Sequence, residues 1–270
     1  MTFRPSSRIV DFLLVGLALF LCAGTLIAQL PLSSPSRAPA GEEFDAALQN
    51  IDSIDSATAY VLGSNPGSGP EARADAADEF VRRRFFHSYS FFDPSQNWLA
   101  YVAGFVWLNL RSPVRPNDIL KHPEAACSQQ TIVFNAIARR LGLRTAVVRF
   151  QGHMAAAVDI RDTWRVYDAD LEIQPRSYPL DGLLTGDPSI LAIYGRHGRM
   201  IDLAGQAARK TIRLTDIDGN PAPHATLFDK ITLFLSNFGW AISVALAGLR
   251  LRQRSVRSSQ PRMSVAGIAR

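Results

Sequence analysis

Cysteine is nearly absent from this 270-residue chain, which has only Cys22 and Cys127. A disulfide-stapled scaffold is therefore excluded. Histidine is scarce too: His87, His122, His197 and His224 are scattered without the spacing to Cys or carboxylates that a zinc site uses, so no metal is expected. The chain has no Gly-rich phosphate loop and no internal repeat, and no cofactor is expected. Acidic residues are missing from residues 231–270, which carry six arginines. Charged residues make up 20% and hydrophobic ones 47%, a balance that excludes a mainly disordered chain.

The formal net charge of +5 sits at the ends. Residues 1–30 and 231–270 together carry +7, from Arg4, Arg8, Arg250, Arg252, Arg254, Arg257, Arg262 and Arg270 against Asp11, and residues 31–230 carry −2. The basic excess is thus no property of the central region, and no nucleic-acid partner is expected.

Two uncharged runs explain where the charge lies. Phe12–Ala28 follows Arg4 and Arg8, and Ile231–Leu249 is bounded by Lys230 and the arginines from Arg250 onward. Each is about the length of a bilayer span. The positive-inside rule keeps both basic flanks cytoplasmic and exports what lies between. The competing reading of the first run is a cleaved signal peptide, although no convincing small-x-small cleavage site follows it. That of the second is a buried core helix, favoured by Ser236, Asn237 and Ser243. The expected organisation is a cytoplasmic N-terminus (1–11), a transmembrane helix or uncleaved signal anchor (12–30), a Pro/Ser/Ala linker (31–41), an extracytoplasmic domain (42–230), a second transmembrane helix (231–249) and a basic cytoplasmic tail (250–270). Such a chain is placed in a cell inner membrane, its main domain on the periplasmic side.

Within the exported region, apolar spacing predicts helices over Glu42–Leu62 and Ala72–Phe86, and another after Asp93-Pro94-Ser95 through Trp98, Tyr101, Val102, Phe105 and Val106. Ser128–Leu141 has the period of a helix with one buried face, and Gly142 closes it. Thr145–Phe150, His153–Ile160 and Thr163–Asp168 are β-compatible, separated by Gln151-Gly152 and Arg161-Asp162. This order predicts an α+β domain with a helix packed on an antiparallel sheet. Arg82-Arg83-Arg84 reads as a solvated helix face, with binding of an acidic polymer as the alternative. Trp98, Trp107 and Trp164 read as core residues.

Cys127 is the only cysteine of the exported part, and it stands immediately before the amphipathic helix, where free backbone N–H groups and the helix dipole favour negative charge. That position suits a nucleophile; a small buried hydrophobe is the plainer reading. His153 opens a strand twenty-six residues later, and Asp168 ends the next strand fifteen residues beyond that. A hairpin can set an imidazole and a carboxylate side by side, supplying the base and the orienting acid that a thiol needs. Asp170 shares the strand parity of Asp168 and is the second candidate acid. The oxyanion is expected to meet the backbone N–H of Cys127, with Asn97, Asn109 and Gln129 as further donors to weigh.

These residues resemble the transglutaminase-like cysteine enzymes of the papain-like superfamily, in a bacterial, membrane-anchored form. The resemblance rests on Cys127-Ser128 opening the helix, the Leu141-Gly142-Leu143-Arg144 turn, Gly152-His153 opening a strand, then Trp164 and Asp168, and it covers about residues 95–175. It implies a transglutaminase-like/papain-like α+β core between N- and C-terminal transmembrane helices, with Cys127, His153 and Asp168 as catalytic triad. The implied activity is that of a cysteine peptidase, amidase or acyltransferase working through a thioester on a protein or peptide substrate. Ala126 replaces the Gly common before the nucleophile, and Met154, Ala155 and Ala157 replace the aromatic and acidic residues common after the histidine. The alternative is a non-catalytic binding or assembly protein of that fold in an envelope or polysaccharide-export complex.

Overall fold

Long apolar helices stand at the two ends of the chain and an antiparallel sheet in its middle. A computed structural model describes residues 7–30, 38–64, 67, 69–195 and 202–258; residues 31–37 of the expected linker and the tail beyond 258 lie outside these. The elements run α1 (Ser7–Ile27), a 3-10 turn (Ala46–Asn50), α2 (Ile54–Ser64), α3 (Pro70–Arg84), α4 (Pro94–Ala103), a second 3-10 turn (Leu108–Arg111), α5 (Pro116–Ile119) and α6 (Cys127–Arg140). After them come β1 (Thr145–Phe150), β2 (His153–Ile160), β3 (Thr163–Tyr167), β4 (Ser177–Pro179), α7 (Leu180–Thr185), α8 (Pro188–Gly195), α9 (Leu203–Ala208), β5 (Arg213–Thr215) and α10 (Pro223–Ser258). Two compact units result. One contains α1, Phe92–Val106 and the chain from Lys230 onward; the other contains the remainder.

The larger unit is built on a five-stranded sheet of order β4-β3-β2-β1-β5, with every pairing antiparallel. The central strands β1 and β2 are buried on both faces, which is why β2 reads as a continuous apolar Ala-Ala-Ala-Val run instead of alternating. Ala156 and Val158 of β2 join Phe80, Val133, Phe134 and Ile137 from α3 and α6 in one core cluster. Ala155 and Ala157 join Leu183, Ile190, Ile193 and Leu203 from α7, α8 and α9 in another. The expected helix-on-sheet layer is present, and three short helices that the periodicity did not disclose form a second. Each fully buried aliphatic side chain on these faces contributes about 1.5–3 kcal/mol.

Turn chemistry sets the register. Gly142, at φ 80°, ends α6, with Leu143 N–H donating to Ala138 O and Gly142 N–H to Arg139 O, the paired bonds of a Schellman motif. Arg161 and Asp162 both take positive φ (55° and 63°) between β2 and β3, as a type I′ hairpin turn requires.

Two expectations need correction. The helix expected over Glu42–Leu62 is a 3-10 turn at Ala46–Asn50 and α2 from Ile54, and Glu42–Asp45 is not helical because its groups are bonded elsewhere: Glu42 Oε2 accepts from His87 N–H (2.6 Å), Glu43 N–H donates to Glu172 Oε1 (2.9 Å) and Asp45 N–H to Arg83 O (2.7 Å). The Arg82-Arg83-Arg84 run is no solvated face, since Arg82 and Arg84 are each 1% exposed. Arg82 pairs with Asp78 (2.6 Å) and donates to Ile173 O (3.1 Å), whereas Arg84 donates to the carbonyls of Ile51, His122, Gln49 and Leu120. These guanidiniums tie loops to α3 from inside.

Among the described residues two helices are long and apolar enough to cross a membrane, with mean hydropathy 2.4 over Val10–Ile27 and 1.6 over Pro223–Gln253. A core helix hides its apolar side chains, but Phe12, Leu13 and Leu19 of α1 and Phe234, Phe238 and Val244 of α10 are exposed. Trp98 of α4 is buried over Gly24, where an added Cβ would meet the indole at 2.7 Å. Of the three tryptophans expected in a core, Trp98 is buried, Trp164 is partly buried and Trp107 is exposed. Phe92–Val106, expected within the exported 42–230 domain, groups with the terminal helices.

Candidate active site

The N-terminus of α6 is held by its own third residue. Ala126, at the cap, has no side chain able to accept a hydrogen bond, and Gln129 substitutes: its Oε1 accepts from the N–H of Ala126 and of Ser90 (3.1 Å each). Its Nε2 donates to the carbonyls of Ser90 and Pro113 (3.1 Å each). Gln129 thus fixes the loop that presents Cys127 and has no donor left for an oxyanion. Asn97 is likewise engaged, donating to Thr232 Oγ1 (2.9 Å) in the smaller unit, and Asn109 lies on the exposed 3-10 turn. Gln129 and Gln130 N–H donate to Ala126 O (2.8 and 2.9 Å), leaving the N–H groups of Cys127 and Ser128 as the donors of that turn, of which Cys127 N–H adjoins the thiol.

His153 is the first residue of β2, on the rung Phe150–His153. The β2–β3 ladder ends at Ala156–Tyr167, so Asp168 leaves the sheet just past the last paired rung. His153 Nε2 lies 2.7 Å from Asp168 Oδ2, and the two side chains are 2% and 1% exposed. Asp168 Oδ1 accepts from Leu171 N–H (3.3 Å). Tyr194 adds a hydrogen bond to Asp168, and its hydroxyl bonds that of Tyr178. Burial, then the Asp168 charge, pushes both phenols well above their ordinary range, so they remain hydroxyl donors. The Phe150 ring, 5.1 Å from the imidazole and 5.9 Å from Tyr194, walls this pair from water.

The thiol completes the group. Cys127 Sγ, a ring nitrogen of His153 and a carboxylate oxygen of Asp170 lie within 4.8 Å of one another. Since Nε2 is taken by Asp168, Nδ1 faces the thiol. Burial pulls the His153 pKa down, but the Asp168 charge and hydrogen bond, aided by Cys127, outweigh it and raise the imidazole to about 10.

The structure separates the two acids that strand parity could not. Asp168 holds the outer nitrogen of His153. Asp170 stands on the thiol side, 3.9 Å from His153 Nδ1, and its Oδ1 is in contact with His87 Nδ1. Gln130 donates to Asp170 Oδ1 (3.4 Å) and to Ala125 O (2.9 Å). His87, set aside in the sequence as isolated, therefore belongs to the site. It is delivered by a parallel bridge, Phe86 N–H donating to Pro123 O and Ala125 N–H to Phe86 O (3.1 Å each), that lays its segment against the residues before Cys127. No local pattern announces a pairing made forty residues upstream.

Cys, His and carboxylate form a zinc-competent donor set, and among the described residues Cys127, His153 and Asp170 are close enough to hold an ion. The ring nitrogen that would bind it is the one facing the thiol, so a metal and the thiol–imidazole bond are alternatives. The cavity at Cys127 is about 10 Å³, lined by Gln130, Thr131, Met154 and Asp170 among others, room for one water. No protein-family model, curated protein or solved structure matches the chain.

Proposed function

We propose that this chain is a membrane-anchored cysteine enzyme of transglutaminase-like type, its larger unit extracytoplasmic and both termini cytoplasmic, acting on amide or peptide bonds of a protein or peptide. The reading rests on His153, whose two ring nitrogens face Asp168 and the Cys127 thiol. The Cys127 thiolate, its proton on His153, attacks the amide carbon, and the oxyanion is received by Cys127 N–H. The C–N bond then breaks as His153 gives its proton to the departing amine, leaving a thioester on Cys127. Water or a second amine attacks that thioester, loses a proton to His153, and releases acid or a new amide with the thiol restored. Asp168 holds the imidazolium in place throughout.

The basic flanks of α1 and α10 support this topology by the positive-inside rule. The test is trapping of a hydroxylamine-sensitive acyl adduct on Cys127 of the full-length protein in envelope extract. An adduct that forms on wild type and not on His153→Ala supports the enzyme, and absence from both overturns it. The second reading, a non-catalytic binding or assembly protein, is favoured by one observation: His153, Asp168 and Asp170 are almost fully covered and the cavity at the thiol holds no more than a water.

A further inference from the structure

Pro94–Leu110 is an uncharged run of seventeen residues bounded by Asp93 and Arg111, and too little of it is helical to span a bilayer. Helix α4 covers ten residues, about 15 Å. It is broken at Asn97 (φ −157°, ψ 81°), which releases backbone N–H groups that a regular helix would use. Side chains take them up: Leu99 N–H donates to Ser236 Oγ (3.2 Å) and Ala100 N–H to Asn97 Oδ1 (3.2 Å). Asn97 Nδ2 donates to Thr232 Oγ1 (2.9 Å), Ser236 Oγ to Asn97 Oδ1 (3.1 Å) and Trp98 Nε1 to Ser236 O (3.3 Å). At its C-terminal end, Gly104, Phe105 and Val106 donate to Ala100, Val102 and Ala103 carbonyls. The Leu99 and Ala100 N–H groups freed by the break thus both find protein acceptors, as hydrocarbon requires of backbone placed within it.

The apolar side chains point the other way. Val102, Phe105 and Val106 are 45%, 76% and 90% exposed, an apolar patch with no protein cover in this unit. Its location on the two long helices is specific. Trp98 covers Gly24 and stacks edge-on with Phe20, and Thr25 Oγ1 donates to Ser236 O (3.1 Å), close to where α1 ends and the apolar part of α10 begins. Asp11 and Arg250 approach to 4.0 Å at the opposite ends, so the two helices run antiparallel and α4 packs at one end of the pair. Ser236 lies six residues beyond Lys230, about 9 Å along the axis, the depth of the boundary between headgroups and acyl chains.

We propose that Pro94–Val106 is a non-crossing membrane element, inserted into one leaflet with Val102, Phe105 and Val106 among the acyl chains. This rests on the reading that α1 and α10 cross the bilayer. It also accounts for Ser236, which weakens α10 as a span on hydropathy but serves as the acceptor and donor that holds the broken helix.

The test uses the full-length chain with Cys22→Ser and Cys127→Ala, carrying a single introduced cysteine labelled with a polarity-sensitive fluorophore, in nanodiscs with or without nitroxide-labelled phosphatidylcholine. Val106→Cys reads the proposed element, Phe238→Cys the α10 span, and Leu62→Cys an exposed position of the larger unit. Loss of about half or more of the emission at positions 106 and 238, with position 62 unaffected, is the expected result. Quenching at 238 without quenching at 106 overturns the insertion and leaves the spans intact. Quenching at neither 106 nor 238 overturns the membrane reading itself. Phe105→Cys repeats the measurement one residue away should the Val106→Cys protein fail to fold.

Discussion

His153 Nε2 and Asp168 Oδ2 lie 2.7 Å apart with both side chains sealed from solvent, while the second carboxylate of the site, Asp170, is in contact with a different histidine, His87. The two acids therefore have different work to do. Replacing Asp168 with Asn removes the charge that holds the imidazolium. The rate of Cys127 alkylation by iodoacetamide at pH 7 is expected to fall about 10–10²-fold in Asp168→Asn and roughly 10²-fold or more in His153→Ala. Asp170→Asn is expected to cost less than Asp168→Asn; equal losses would assign the orienting role to both acids.

Proton linkage at His153 has a definite sign. Its pKa is raised from 6.5 to about 10, with burial opposing and the Asp168 charge and hydrogen bond prevailing. The folded protein holds this proton where the unfolded chain has released it, so the contribution is fully present below pH 6.5 and is lost as pH rises through about 10. The stability advantage of wild type over His153→Gln should shrink across that window, by at most about 1.4 kcal/mol per pH unit. Denaturant titrations of both proteins between pH 6 and 10.5 measure it, and a difference that widens with pH would contradict the charged His153–Asp168 pair.

The parts that could be read ahead of the structure are those specified by neighbours in the chain. The α6 helix spans Cys127–Arg140 against an expected Ser128–Leu141, since its apolar period and Gly142 are local features. The β2–β3 hairpin follows from its paired apolar stretches and a turn of two residues able to take positive φ. What escaped is held by distant partners. His87 reaches Asp170 through a bridge to residues 123–125, and Gln129 closes its hydrogen bonds with Ser90 and Pro113. Arg82 and Arg84 look like a solvated charge run until their carbonyl and carboxylate acceptors are brought over them by the fold. Asn97 looked like a catalytic donor because nothing nearby in sequence reveals Thr232 and Ser236.

Arg84 offers the clearest stability test. Burial lowers its pKa to about 10, with Asp52 and Glu124 opposing, and its guanidinium is shared among four backbone carbonyls from two loops. Arg84→Leu leaves those acceptors without a donor, and Arg84→Lys keeps the charge but lacks the planar fork that reaches them together. A loss of about 3 kcal/mol or more is expected for Arg84→Leu, a fall in melting temperature of roughly 6–12 °C, with Arg84→Lys between it and wild type. A leucine variant melting with wild type would show that the carbonyls find other donors.

His122 predicts the acid limit of the fold. Its side chain is buried beside Asp118, Lys121 and Arg84, with Nε2 meeting no hydrogen-bond partner, and burial lowers its pKa from 6.5 to about 4 despite the opposing Asp118 charge. Because the unfolded chain takes up a proton here that the folded protein refuses, stability falls as pH drops from 6.5 towards 4, by up to about 3 kcal/mol. His122→Gln keeps a polar side chain of similar reach without a titrating ring. Melting temperatures of the full-length protein in detergent, compared between pH 7 and 4.5, should fall less in His122→Gln than in wild type, the remaining slope belonging to the carboxylates that both proteins share. Parallel curves would mean that His122 is protonated within the fold and that Asp118 outweighs its burial.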